Sequence, residues 1–177
     1  MKQQMNKKLI KFITITLAVF LSVCSVNAQV SITAHASAEI IQALAATEGS
    51  ALNFGRFSPE SSGGEIRLTP DGIRTSTGSV TLSGGLYNPA SFNLSGQPDF
   101  SIIVNLPPAP VILTNSANGK SMTVIDWVSI PSASSSVKIL NSGILTLNVG
   151  ATLRVGNIVD NPVGMYSGTY VVTFSYN

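Results

Sequence analysis

Few residues in this chain have the chemistry for catalysis or metal binding, and their spacing narrows what that chemistry is. His35 is the only histidine among 177 residues, so a two-imidazole metal site or a second histidine base is ruled out. One histidine would suffice for a Ser-His-Asp triad. Yet the Gly-x-Ser-x-Gly elbow is absent, and His35 lies in what reads as an N-terminal strand. It is expected to be a surface or partly satisfied strand histidine. Asp126 beside Trp127 interrupts the otherwise apolar run Met122–Val128. A carboxylate next to an aromatic suits a sugar site or a glycosidase, but hydrolysis needs a second carboxylate about 5 to 10 Å away, which spacing does not supply. Asp126 either faces solvent at a bulge or is buried with a partner, and the role expected of it is structural: accepting backbone hydrogen bonds at a strand irregularity. A small hydrolase around it is the weakest reading. Asp71-Gly72 stands without the alternating Asp/Asn ligands of a calcium loop, and every glycine cluster lacks the Lys-Ser/Thr or the helix that a phosphate loop requires. Asn93-Leu94-Ser95 is a short sequon that arises readily by chance. The expected inventory is therefore no catalytic residue, no metal site and no cofactor.

The first 28 residues read as a secretory signal peptide. Lys2, Lys7, Lys8 and Lys11 form a basic start, Phe12 to Val23 a mostly apolar stretch, and Val26-Asn27-Ala28 a small-residue motif before cleavage between Ala28 and Gln29. The apolar stretch is short of the roughly 20 residues a membrane span needs, so no transmembrane anchor is expected in the mature form. Lipidation at Cys24 is the alternative, but Val23 occupies a position that prefers Gly, Ala or Ser. Cleavage would leave the 149 residues from Gln29 to Asn177 as a single domain without any cysteine. Six cations would then face eight carboxylates, a net charge of −2, which removes the electrostatic basis for nucleic-acid binding. Export to the periplasm, cell surface or medium is the expected destination.

Composition and pattern describe what positions these residues. Only 10% of residues are charged, whereas Ser and Thr number 24 and 14. Apolar residues recur with a period of two: Ala90, Phe92, Leu94; Phe100, Ile102, Val104, Leu106; Leu145 through Val155 at every odd position; and Tyr170, Val172, Phe174, Tyr176. Alternation of this kind belongs to half-buried antiparallel strands. Turn sequences such as Thr69-Pro70-Asp71-Gly72, Asn118-Gly119 and Asn161-Pro162-Val163-Gly164 separate the runs. Pro107-Pro108-Ala109-Pro110 must be a loop or an edge, since proline cannot donate into a ladder. Ala38–Ala46 has helical propensity but is read as a strand from its flanks. The whole reads as an all-β, antiparallel β-sandwich.

Two blocks carry a family likeness: Leu147 to Gly156 with Gly164 to Asn177, and Pro89 to Pro107. With Leu52-Asn53-Phe54-Gly55 and Met122-Thr123-Val124, they resemble the secreted bacterial family called domain of unknown function 4402, itself similar to fimbrial and spore-coat-U-like pilus subunits. The resemblance implies an exported immunoglobulin-like sandwich with no assigned catalytic residues. Chaperone–usher pilins end in an alternating apolar strand with a penultimate aromatic and an upstream glycine. Here Gly164, Tyr166, Gly168, Tyr170, Val172, Phe174 and Tyr176 fill that pattern. Val30, Ile32, Ala34, Ala36 and Ala38, apolar at every second residue, form the candidate donor strand for addition to an open sheet edge. The cysteine pair common in many fimbrial subunits is absent. The function expected on this basis is a non-enzymatic surface-structure or fimbria-like subunit. Its partners would be further copies or related subunits, and a periplasmic chaperone. The alternatives left open are a monomer whose first strand pairs within its own sheet, and a secreted carbohydrate- or protein-binding module.

Overall fold

The computed structural model describes residues 2–21, 28–133, 136–140 and 142–177. The chain divides into two units, residues 1–39 and 40–177. The first holds helix α1 (Lys2–Leu21), formed by a run free of glycine and proline and rich in Lys, Leu and Ile. Leu9, Ile10, Phe12, Ile13, Ile15 and Leu17 are exposed on it. Among the described residues no helix is long and apolar enough to cross a membrane. Cys24 and the Val26-Asn27 part of the cleavage motif lie outside the described residues; Ala28 and Gln29 are exposed and belong to no helix or strand.

Among the described residues the second unit is built from ten strands: β1 (Ala45–Ser50), β2 (Phe57–Leu68), β3 (Arg74–Leu82), β4 (Ala90–Ser95), β5 (Ser101–Asn105), β6 (Val111–Thr114), β7 (Ser121–Ile130), β8 (Val137–Lys138), β9 (Ile144–Val155) and β10 (Thr173–Tyr176). Every pairing is antiparallel. The larger sheet runs β1-β4-β9-β2-β3, with β7 also on β9 and β6 on β7; the smaller runs β10-β5-β8. Strand β9 organises the larger sheet. Its first half, Ile144–Val149, pairs with β4, and its second half, Ala151–Val155, pairs with β2. Strand β7 pairs with residues 148–154, and the overlap puts it on the opposite edge. The odd residues Leu145 through Val155 are all buried, as their alternation requires.

These residues feed two apolar clusters. The first lies among β2, β3, β7 and the second half of β9, around Ile66, Leu68, Val124 and Leu153. The second lies between the sheets: Ala90 and Leu94 of β4 and Leu145, Leu147 and Val149 of β9 face Ile102 and Val104 of β5 and Val137 of β8. Leu52 and Trp127 pack against both. The result is the expected antiparallel β-sandwich, and the proline-rich segment after β5 is the expected loop. Two expectations change. The strand read at Ala38–Ala46 begins only at Ala45, which pairs with Ser95; the partner strand ends there, before Gly96-Gln97-Pro98, leaving nothing for residues 38–44 to pair with. His35 lies in an exposed segment without strand structure rather than in a strand.

Candidate functional site

Strand β1 sits at the edge of the larger sheet and β10 at the edge of the smaller one. Each is paired on one side only among the described residues, β1 with β4 and β10 with β5. Residues directly opposite across a ladder share a face. Ala46 faces Leu94 and Glu48 faces Phe92, so Ala46 and Glu48 project to the core side, yet both are exposed. On the other edge Tyr170, Val172, Phe174 and Tyr176 alternate with exposed residues and pack on the second cluster, but each stays only half-buried. The run read as the last strand is strand only over Thr173–Tyr176, because only there does it pair with β5; Tyr170 and Val172 precede it. Aromatic contacts behind these edges join the two sheets: Phe92 is on β4 and Phe174 on β10, Trp127 is on β7 and Tyr170 precedes β10. Phe92 and Phe174 lie 5.8 Å apart, and Trp127 and Tyr170 4.6 Å apart, centroid to centroid. The strip bordered by the outer edges of β1 and β10, where Phe92, Tyr170, Val172 and Phe174 are only half-buried, forms a seam.

Two polar groups packed on the second cluster have no partner among the described residues. The Trp127 indole N–H and the Tyr170 hydroxyl are buried and make no hydrogen bond, a cost of about 1–3 kcal/mol each. Burial, and secondarily the negative charge of Glu48, push the Tyr170 phenol from 10.0 up to about 12. Away from β1 and β10, a cleft of about 490 Å³ opens beside Trp127 between β5 and β7, lined also by Val104, Leu106, Ser129 and Ala133. One end of the seam is fixed: the Tyr176 hydroxyl donates to the Gln42 carbonyl at 2.8 Å and accepts from the Gln97 N–H at 2.7 Å, while the Gln42 N–H donates to the Gln97 side-chain oxygen at 3.1 Å.

The other predicted residues divide. Tyr166 belongs with the first cluster rather than the second, and Gly164 is exposed. Tyr166 packs on that cluster and donates to the Pro162 carbonyl at 2.8 Å. A side chain on Gly164 would collide with the Asn115 amide, and one on Gly168 with the Ile112 carbonyl. Both glycines let the C-terminal segment lie close against β6, where Ser167 bridges to Thr114, before it crosses to β5. Val30–Ala38 is exposed throughout and carries no strand pairing among the described residues; Val30 and Ile32 are 92% and 90% exposed. Sequence reasoning missed Glu48 and Phe92. The only sequence signal for Phe92 was its alternation with Ala90 and Leu94; for Glu48 there was none.

Asp126 departs from its expected role. It sits at a strand irregularity, between the register pairs Ile125–Thr152 and Val128–Gly150, with φ at 51°. This is a β-bulge whose first residue is left-handed, the place glycine usually takes. Its carboxylate, however, accepts no backbone hydrogen bond and has no ion-pair partner among the described residues. The bulge turns Trp127 into the core while Asp126 stays exposed. Asp126 lines a depression of about 510 Å³ with Glu65, Arg67, Thr75, Thr77, Val128 and Thr152.

Residues 44–176 match the family described as Domain of unknown function (DUF4402). The chain belongs to that family. No curated protein and no solved structure matches the chain. The DUF4402 match starts at Leu44, just before β1, and ends at Tyr176, the last residue of β10. It therefore takes in both edges of the seam. Helix α1 and Val30–Ala38 fall outside the DUF4402 match.

Proposed function

We propose that this protein is an exported, non-enzymatic surface-structure subunit, fimbria-like in its mode of assembly, that joins copies by strand addition. The observation that supports this reading is the seam between β1 and β10, where two unpaired strand edges border a half-covered aromatic core. An added strand would satisfy the edge N–H and C=O groups and cover Phe92, Tyr170, Val172 and Phe174. The occupant is Val30–Ala38 of a second copy, whose apolar residues Val30, Ile32, Ala34, Ala36 and Ala38 would all face one way. Residues 40–44 form no hairpin with β1 among the described residues, and both backbone polar groups of Gln42 are already engaged. That favours donation between copies over self-pairing. A periplasmic chaperone would cover the same seam before assembly, and the segment ahead of Gln29 would direct export.

The test is light scattering of the full chain over a wide concentration range, beside a variant lacking Val30–Ala38. The expected result is a mass that grows with concentration for the full chain only, with a peptide of those residues binding the deletion variant. A constant monomer mass at every concentration would remove the subunit reading and favour the binding module.

A further inference from the structure

We propose that the outer face of the larger sheet carries a binding site for neutral, hydroxyl-rich sugars, centred on Asp126 and Arg67. The site lies on the solvent side of that sheet and does not depend on the assembly reading. Register builds it. Thr77 is opposite Glu65, and Glu65 is opposite Arg154; one step along, Thr75 is opposite Arg67, and Arg67 is opposite Thr152. Strand β7 continues these rows, with Thr123 opposite Arg154 and Ile125 opposite Thr152. Two rows, polar across β3, β2 and β9 and ending on Thr123 and Ile125 of β7, therefore cross neighbouring strands spaced about 4.8 Å apart, and the bulge in β7 adds Asp126 to the same depression of about 510 Å³. That volume lies within the range of small-ligand sites, about 300–1,000 Å³.

Charge selects the ligand. Glu65 and Arg154 neutralise each other through a 3.1 Å contact. Arg67 and Asp126 line the same depression without forming an ion pair, which leaves one fork of donors and one pair of acceptor oxygens free. The balance of two carboxylates and two guanidiniums disfavours a strongly anionic or cationic ligand. A neutral sugar presents hydroxyls that both donate and accept, matching Asp126, Arg67 and the exposed hydroxyls of Thr75 and Thr77, while the buried Thr152 forms the floor. Val128 supplies an apolar wall for a ring face. The backbone adds a separate argument. A left-handed aspartate is strained where glycine is not, and the fold makes no use of this carboxylate. Strain kept at a concave polar site points to a ligand.

The experiment is an amide chemical-shift titration of the full chain with glucose, galactose, mannose, N-acetylglucosamine and their disaccharides. The concentrations should reach about 100 mM, beyond the millimolar range of weak binding. Saturable shifts at Thr75, Thr77, Asp126 and Thr152 are expected with at least one of these sugars. Asp126→Gly should fold with an unchanged or higher melting temperature and bind at least about tenfold more weakly. Arg67→Ala, also without an ion pair to lose, should weaken binding in the same direction. The proposal is overturned if no sugar gives saturable shifts, if the shifts fall elsewhere, or if the folded Asp126→Gly protein binds as tightly as the parent.

Discussion

Phe174→Ala tests how the last strand holds the sandwich. Phe174 belongs to the ladder between β10 and β5, opposite Val104, and packs on the second cluster with its ring tilted 58° against Phe92. Full truncation of a buried phenylalanine costs about 3–5 kcal/mol. This ring is half-buried, which roughly halves that figure, and loss of the aromatic pair adds about 0.5–1.5 kcal/mol. The expected cost is about 2–4 kcal/mol against a total of about 5–15 kcal/mol. At about 2–4 °C per kcal/mol for a chain of this size, the melting temperature falls by roughly 4–16 °C. Urea denaturation of the parent, Phe174→Ala, Phe92→Ala and the double variant gives both the cost and the coupling, with Ser175→Ala as an outward-facing control within about 0.5 kcal/mol. A loss below about 0.5 kcal/mol for Phe174→Ala, or additive effects of the two phenylalanines, would refute the reasoning that this strand seals the core.

Other consequences can be checked on the same protein. The Tyr170 phenol is raised to about 12, so the folded state favours its neutral form. That contribution is complete below pH 10, the ordinary tyrosine value, and is lost as pH climbs towards 12. Alkaline unfolding should therefore be milder in Tyr170→Phe, and absorbance titration should lose its highest-pKa tyrosine; an unchanged titration would contradict the assignment. Gly164→Val should cost more than about 2 kcal/mol by denaturant unfolding, because the added side chain meets Asn115 on a positive-φ backbone. Intact-mass analysis of exported material should find Gln29 at the N-terminus and no thiol, whereas an acylated Cys24 there would overturn the signal-peptide reading.

Much of the sandwich was legible because strand alternation is local. Leu145 through Val155 could be assigned to one buried face without knowing any partner. What that strand does could not be read. β9 changes partner from β4 to β2 around Gly150, and the change depends on two segments far away in sequence. The partial burial of Tyr170–Tyr176 was likewise hidden, because parity tells which face a residue takes and not whether anything covers it. At Asp126 the irregularity was readable from a charge in an apolar run. The absence of backbone partners, and the separation of Asp126 from Trp127 onto opposite faces, follow from the bulge. The outer depression left a trace in the matching parities of Glu65, Arg67, Thr75 and Thr77, but only register brings them together.

The central claim is that Val30–Ala38 is donated between copies, and cross-linking addresses it most directly. In a Cys24→Ser background, one variant carries Thr33→Cys and another Thr173→Cys, and a short bismaleimide tolerates uncertainty in register. Mixing the two single variants should give a covalent heterodimer whose yield rises with concentration. If instead only the double variant cross-links, within one chain and independently of dilution, the strand pairs with its own sheet and the subunit account fails.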